Sequence, residues 1–127
     1  MSDTGPTAIG ELGWVQVDCH DPEHLAAFWG EVLGTNVRAR LGDPARYVTL
    51  EAAAAGAPRL VFQRVPEAKS GKNRLHLDIR VEDLSTAVKR ATRLGAAPVP
   101  GGDFVEGGVR WCVLTDPEGN EFCLVAG

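Results

Sequence analysis

The amino-acid sequence predicts an α+β protein built from two tandem β-α-β-β-β modules. One order of local patterns occurs twice: an alternating stretch, a helical pattern opened by Asp and closed by Leu-Gly, and then β-type stretches. The two helical patterns also match in length, from Asp21 to Gly34 and from Asp83 to Gly95. Repetition of a whole element order indicates an internal duplication, even where residue-by-residue similarity is weak.

The composition describes one soluble domain spanning residues 1–127, with 13 Lys and Arg against 17 Asp and Glu and 44% hydrophobic residues. The net charge of −4 argues against a nucleic-acid partner, which needs a basic face. No apolar stretch approaches the ~20 residues that span a bilayer, and the N-terminus lacks signal-peptide features. The spacing of Cys19, Cys112 and Cys123 is wide and matches neither a zinc-binding pair nor a disulfide framework. We therefore expect three reduced thiols. We therefore expect a cytoplasmic protein without a membrane partner.

Both modules are predicted to open on a strand with one polar face. Residues 12–19 and 75–81 alternate between apolar and polar side chains, which is the period of a strand. An antiparallel sheet with one solvated face shows the same alternation as a strand that lines a cavity. The polar faces carry Trp14, Gln16 and Asp18 in the first module and His76, Asp78 and Arg80 in the second.

The helical patterns have clear start and stop signals. Asp21 and Asp83 each offer a side-chain acceptor to the free N–H groups of a first turn. Pro22 suits the first helical position because its missing N–H has no partner there. Gly34 and Gly95 follow the last apolar residues, where a left-handed backbone conformation ends a helix.

The later strands are predicted at residues 47–50, 59–63, 109–115 and 121–125. The last two flank a turn at residues 116–120, in which Pro and Gly supply the required backbone angles. Residues 98–109 are rich in glycine, so we expect a mobile rim carrying Phe104. Residues 67–74 hold a basic cluster, Lys69, Lys72 and Arg74, which is typical of a solvated loop.

Three segments resemble the vicinal oxygen chelate superfamily, which includes glyoxalases, bleomycin resistance proteins and extradiol dioxygenases. They are VDCHDPEHLAAFWGEVLG, NRLHLDIRVEDLSTAVKRATRLGA and VLTDPEGNEFCLV, and the last is the most specific. The chain is most similar to the small glyoxalase-like domains of that superfamily. The resemblance implies module 1 at about residues 11–65 and module 2 at about residues 73–126, forming a curled mixed sheet around a central cavity. It also implies a homodimer.

The resemblance further implies four metal-ligand positions, at Trp14, near Val61, at His76 and at Cys123, with Gln63 as the nearest possible oxygen donor to the position near Val61. Only His76 is a conventional ligand at its position, and Cys123 stands where a carboxylate is usual. A catalytic divalent ion needs about three protein ligands. We therefore expect no metal cofactor, and a weakly held divalent metal ion is the alternative.

The remaining candidate residues divide into catalytic and ligand-binding groups. His76 beside Asp78 would form a general base held by a carboxylate, or a histidine satisfied by its neighbour. Cys123 would be a thiol activated by His76, or a small core residue. An ion pair between Asp18 and Arg80 would neutralise two cavity charges. The predicted ligand-binding residues are Trp14, Gln16, Asp18, Arg80, Trp111 and Cys123, with Trp14 offering a flat apolar face to a planar molecule.

Three functions are compatible with these residues. The first is a protein that binds a small aromatic or amphipathic molecule in its cavity without a conventional metal site. The second is a lyase or isomerase of the superfamily that uses His76 and Asp78 as acid and base. The third is a non-catalytic dimerisation module whose cavity is filled by side chains, and an open volume of a few hundred Å³ distinguishes the first function from the third.

Overall fold

The computed structural model describes residues 8–127 and shows two four-stranded sheets with one helix each. The strand order is β1-β4-β3-β2 in the first sheet and β5-β8-β7-β6 in the second. In both, the first strand of the module pairs parallel to the last, and the other pairs are antiparallel. The two sheets share one topology, as the duplicated pattern predicts. The strands are β1 Trp14–Cys19, β2 Val37–Leu41, β3 Tyr47–Leu50, β4 Arg59–Arg64, β5 Leu77–Arg80, β6 Ala97–Glu106, β7 Val109–Thr115 and β8 Glu121–Ala126.

The two helices, α1 Pro22–Leu33 and α2 Leu84–Leu94, begin and end at the predicted signals. The side chain of Asp21 accepts from the backbone N–H of His24, and that of Asp83 accepts from Thr86. Gly34 and Gly95 close the helices with positive φ, which a side chain would oppose.

One hydrophobic core connects the two modules through the helices. Trp29 of α1 packs edge-to-face on Phe122 of β8, with ring centroids 4.9 Å apart, and Phe28 packs beside both. The core also holds the apolar faces of β1 and β5, which turn toward the helices. The polar faces of β1 and β5 therefore point away from the core and are exposed.

Strands β2 and β6 are absent from the individual strand predictions. β2 alternates between apolar residues and two arginines, but it is short and largely exposed, and its hydrogen bonds to β3 complete a hairpin. β6 occupies the glycine-rich stretch where a mobile rim was expected, and that expectation is wrong for most of its length. Its pairing with β7 shifts register between Pro98 and Asp103, which is how an inserted bulge accommodates extra residues. At Gly102 a Cβ would lie 2.9 Å from the backbone oxygen of Val99, so the bulge needs glycine.

Within residues 8–127, neither helix is long and apolar enough to cross a membrane.

Candidate functional site

An open cleft of about 640 Å³ lies where the two modules meet. One wall is the edge strand β1, and the opposite wall is the connection between the modules at residues 65–76 together with the start of β5. The turn between β7 and β8 closes one end, beside the indole of Trp29. Gln16, Asp18, Arg74 and His76 bring polar groups to this cleft, whereas Val15, Val17 and Leu77 bring apolar surface.

The end of the cleft is built by a turn that fastens module 2 to module 1. Asp116 is only 4% exposed, and its carboxylate accepts from the indole N–H of Trp29 at 3.1 Å. The same carboxylate accepts from the backbone N–H groups of Glu118 and Asn120 at 2.9 and 3.0 Å, which fixes the turn. Such a buried carboxylate is tolerated because its oxygens are fully hydrogen-bonded.

Glu118 completes this inter-module contact at the end of β1. Its two carboxylate oxygens accept from the backbone N–H groups of His20 and Asp21 at 2.8 and 2.7 Å. These N–H groups lie between β1 and α1, where they have no ladder partner. The carboxylates of Asp116 and Glu118 therefore already accept hydrogen bonds from protein donors at this end of the cleft.

The basic residues at 69–74 line the cleft, a role that the sequence prediction missed. Lys69, Lys72 and Arg74 are exposed, as a solvated loop requires, but they also form part of the wall opposite β1. Lys72 makes an ion pair with Glu121 at 2.6 Å, and its hydrogen bond lowers the pKa of that carboxyl. The sequence signal that could have indicated this role is the location of the cluster between the two predicted modules. The polar composition of the loop indicates exposure only.

Three of the predicted site residues line the cleft, namely Gln16, Asp18 and His76. The other five lie outside it, on the exposed sheet faces or beneath them, and these are Trp14, Asp78, Arg80, Trp111 and Cys123. The cleft thus collects polar residues from the start of both alternating strands, but not both complete faces. The reason is that β1 and β5 are edge strands of separate sheets.

The expected ion pair between Asp18 and Arg80 is absent. The two side chains belong to different sheets, and the ion pairs of residues 8–127 do not include them. Arg80 instead shares a sheet face with two aromatic rings, because the ladder aligns it with Val125, Trp111 and Phe104. Both charges stay hydrated, so they need no partner within the chain.

The aromatic side chains are arranged differently from the predicted stacking surface. Trp14 is 60% exposed and does not border the cleft. Trp111 stacks on Phe104 with ring centroids 5.3 Å apart and planes inclined by 20°. Trp29 is buried in the core and also borders the cleft.

The second module carries a compact group of ionisable side chains next to the cleft. His76 Nε2 lies 3.3 Å from Asp78 Oδ1, so the direct contact between these two residues forms. Cys123 is opposite Asp78 in the ladder, and its sulfur lies within 4.8 Å of the ligating atoms of both. Burial and the carboxylate of Asp78 raise the pKa of the Cys123 thiol. This environment opposes the thiolate that nucleophilic catalysis would need.

The protein is thus an α+β fold of two four-stranded modules with a cleft at their junction. The family model of the glyoxalase-like domain matches residues 14–125. The chain therefore belongs to the glyoxalase-like domain family. No curated protein matches the sequence.

Solved structures of the glyoxalase/bleomycin resistance/dioxygenase group share the fold. A family enzyme from Burkholderia phytofirmans PsJN is 20% identical, with a TM-score of 0.73 over 92% of this chain and 98% of that chain. A glyoxalase family protein from Bacillus cereus is 18% identical, with a TM-score of 0.72 over 98% of both chains. A single-residue mutant of the fosfomycin resistance protein FosX from Listeria monocytogenes, complexed with Mn(II) and 1S,2S-dihydroxypropylphosphonic acid, is 13% identical. Its TM-score is 0.74 over 95% of this chain and 92% of that chain.

The four ligand positions implied by the superfamily do not fit a divalent ion in this protein. Trp14 and Val61 stand at the two positions of module 1, and neither an indole nor an isopropyl group can bind a cation as a ligand. Val61 is also buried beside β1, opposite Gln16. A site shared between equivalent strands of both modules therefore lacks half of its donors.

Proposed function

We propose that the protein binds a small amphipathic molecule in the cleft between its modules, without the shared four-ligand metal site of the superfamily. The open cleft of about 640 Å³ is the observation that carries this proposal. Pockets for small molecules have volumes of about 300–1,000 Å³. An open volume also supports ligand binding over a dimerisation module with a filled cavity.

The lining of the cleft supports an amphipathic ligand. The apolar side chains of Val15, Val17 and Leu77 border it together with the polar ends of Gln16 and Asp18. Since the carboxylates at its closed end are already hydrogen-bonded, the polar groups of the ligand would meet β1 and the opposite wall with Arg74 and His76. A few polar groups on an otherwise apolar surface fix the orientation of a bound molecule.

Binding is tested with 8-anilinonaphthalene-1-sulfonate as an amphipathic fluorescent probe. We expect saturable binding of one molecule per chain, and we expect Gln16→Trp to weaken it at least about tenfold because the larger side chain fills the cleft. Ala39→Trp is the matched control, since Ala39 is exposed on the same sheet face and in the same cross-strand row but outside the cleft. Circular dichroism verifies that both variants fold. Non-saturable binding, or equal effects of the two variants, would contradict the proposal.

Acid–base chemistry of a lyase or isomerase is a second candidate function, favoured by one observation. His76 is held 3.3 Å from the carboxylate of Asp78 at the edge of the cleft, as a general base requires. The test follows hydrogen–deuterium exchange beside the carbonyl group of α-hydroxyketones by NMR in D₂O. This function requires exchange that saturates with substrate and is lost in His76→Gln but not in His24→Gln.

We also propose that two copies form a homodimer through the exposed sheet faces. Large apolar side chains, which are usually buried, are exposed on these faces. They include Trp14 and Leu41 on the first sheet and Phe104 on the second. Asp18 and Arg80 occupy equivalent positions of β1 and β5, and neither forms an ion pair within residues 8–127. In a two-fold arrangement, Asp18 of each copy would meet Arg80 of the partner subunit, so the interface would contain two such ion pairs.

Sedimentation velocity tests the homodimer. We expect a dimer for the wild-type protein, dissociation by Arg80→Asp, and recovery when Asp18→Arg is added to that variant. A wild-type monomer, or a failure of the second substitution to restore the dimer, would refute this arrangement.

Cytoplasmic location is a further proposal, which the three free cysteines of the chain support because reducing compartments preserve thiols.

A further inference from the structure

One face of module 2 brings together three different metal-ligating groups. Among residues 8–127, the ligating atoms of His76, Asp78 and Cys123 lie within 4.8 Å of one another. Asp78 on β5 and Cys123 on β8 are direct partners in the parallel ladder, so their side chains leave the sheet on the same side. His76 lies just before β5, and its imidazole reaches this face, since Nε2 is 3.3 Å from Asp78 Oδ1.

We infer that His76, Asp78 and Cys123 form a site for a thiophilic divalent cation, with Zn²⁺ as the preferred ion. His76 and Cys123 stand at the two module 2 positions that the resemblance implies, and Asp78 adds a third donor from the same module, which the superfamily arrangement does not use. All three donors come from module 2, and one of them is a sulfur. The inference does not depend on the small-molecule proposal, because the ion alone is the ligand that is tested.

The observed distances suit a tetrahedral ion. Nitrogen and oxygen ligands bind Zn²⁺ at about 2.0–2.1 Å, so two of them at a tetrahedral angle are about 3.3 Å apart. His76 Nε2 and Asp78 Oδ1 are 3.3 Å apart. A sulfur ligand at about 2.3 Å requires separations near 3.6 Å from the other two atoms. The 4.8 Å limit that contains all three atoms leaves a side-chain adjustment of about 1 Å, because 4.8 minus 3.6 is 1.2.

The burial of the three residues defines an open site. Cys123 is buried in the sheet, whereas the side chains of His76 and Asp78 are 55% and 64% exposed. The ion would therefore enter from solvent and keep its fourth position for water or for a small molecule with a donor group, as in sites with three protein ligands. Since His76 also borders the cleft, the open position would lie at the edge of the cleft.

The chemistry of the donors decides which ions bind. Thiolate and imidazole favour Zn²⁺ and Co²⁺, whereas Mg²⁺, Ca²⁺ and Mn²⁺ prefer sites made of oxygen ligands. A single carboxylate from Asp78 supplies too little oxygen coordination for the harder ions. Tighter binding of Zn²⁺ than of Mn²⁺ would therefore distinguish this site from a metal site made of carboxylate ligands.

The experiment titrates reduced, tag-free protein with Co²⁺, whose bond to a thiolate has a charge-transfer absorption in the near ultraviolet. We expect one Co²⁺ per chain, a thiolate band, displacement by Zn²⁺ and no displacement by an equal concentration of Mn²⁺. Cys123→Ser should abolish the band. Cys19→Ser and Cys112→Ser should retain it, because these cysteines are also buried but lie outside the cluster.

Two further variants separate ligation from folding. His76→Ala and Asp78→Asn change exposed side chains, so both proteins should keep their circular dichroism spectra. We expect each to weaken Zn²⁺ binding at least about tenfold in competition with a chromophoric chelator. Absence of a thiolate band, a band that survives in Cys123→Ser, or Mn²⁺ binding as tight as Zn²⁺ binding would overturn the inference.

Discussion

The hydrogen bond between Trp29 and Asp116 joins the two modules at the closed end of the cleft, and its loss should destabilise the whole fold. The indole N–H donates to the carboxylate at 3.1 Å, and both residues are buried. A hydrogen bond to a charged group contributes about 1.5–3 kcal/mol. Trp29→Phe also buries a smaller ring, which costs about 1 kcal/mol. We expect the free energy of unfolding to fall by about 3 kcal/mol in this variant.

A double-mutant cycle with Asp116→Ala isolates the contact. Urea unfolding is followed by far-ultraviolet circular dichroism, because removal of Trp29 alters the fluorescence signal. Asp116→Ala alone also releases the turn, since Asp116 accepts from Glu118 and Asn120. The cycle subtracts this effect and should give a coupling energy of about 1.5–3 kcal/mol. A coupling energy below about 0.5 kcal/mol, at an unchanged urea m-value, would refute the reasoning.

Three further predictions concern the same framework. Glu118→Ala should lower the thermal midpoint, whereas Glu118→Gln should lower it less because one acceptor oxygen remains, and equal effects would exclude the proposed capping of the two N–H groups. Burial and nearby carboxylates raise the pKa of Cys19 from 9.0 to about 12, so its stabilisation is complete below pH 9 and is lost as the pH rises through 12. Chemical denaturation between pH 8 and 12 should therefore show less pH dependence in Cys19→Ala, and an unchanged profile would contradict this assignment. Gly30→Ala should destabilise the protein despite its better helix propensity, because the added Cβ would lie 2.8 Å from the backbone oxygen of Thr35. Equal or greater stability of that variant in urea would show that the helix end relaxes.

Local signals predicted the helices because their boundaries depend on neighbouring residues. Asp21 and Asp83 cap the first turns, and Gly34 and Gly95 supply the left-handed ends, so each boundary was readable within a few residues. β2 and β6 were not readable in this way. β2 is exposed over most of its length and β6 contains a register shift, so neither strand buries one continuous face, although each pairs with the next strand of a hairpin.

For the candidate site, the sequence predicted only which residues lie on the polar face of a strand. Alternation placed Gln16, Asp18 and His76 on polar faces, and the structure brings these three to one cleft. It did not show that Asp18 and Arg80 remain apart, because their separation depends on how two sheets pack through the helices between them.

The sequence by itself determined the duplicated order of elements, the helix ends and the polar faces of the first strand in each module. These features depend on backbone angles and on a period of two or 3.6 residues, which are local properties. Only the tertiary structure decided that the connection carrying Lys69 and Arg74 lines a cleft, and that Cys123 joins His76 and Asp78. The physical reason is that strand pairing and helix packing bring together residues that are far apart in the chain, and no local pattern records these contacts.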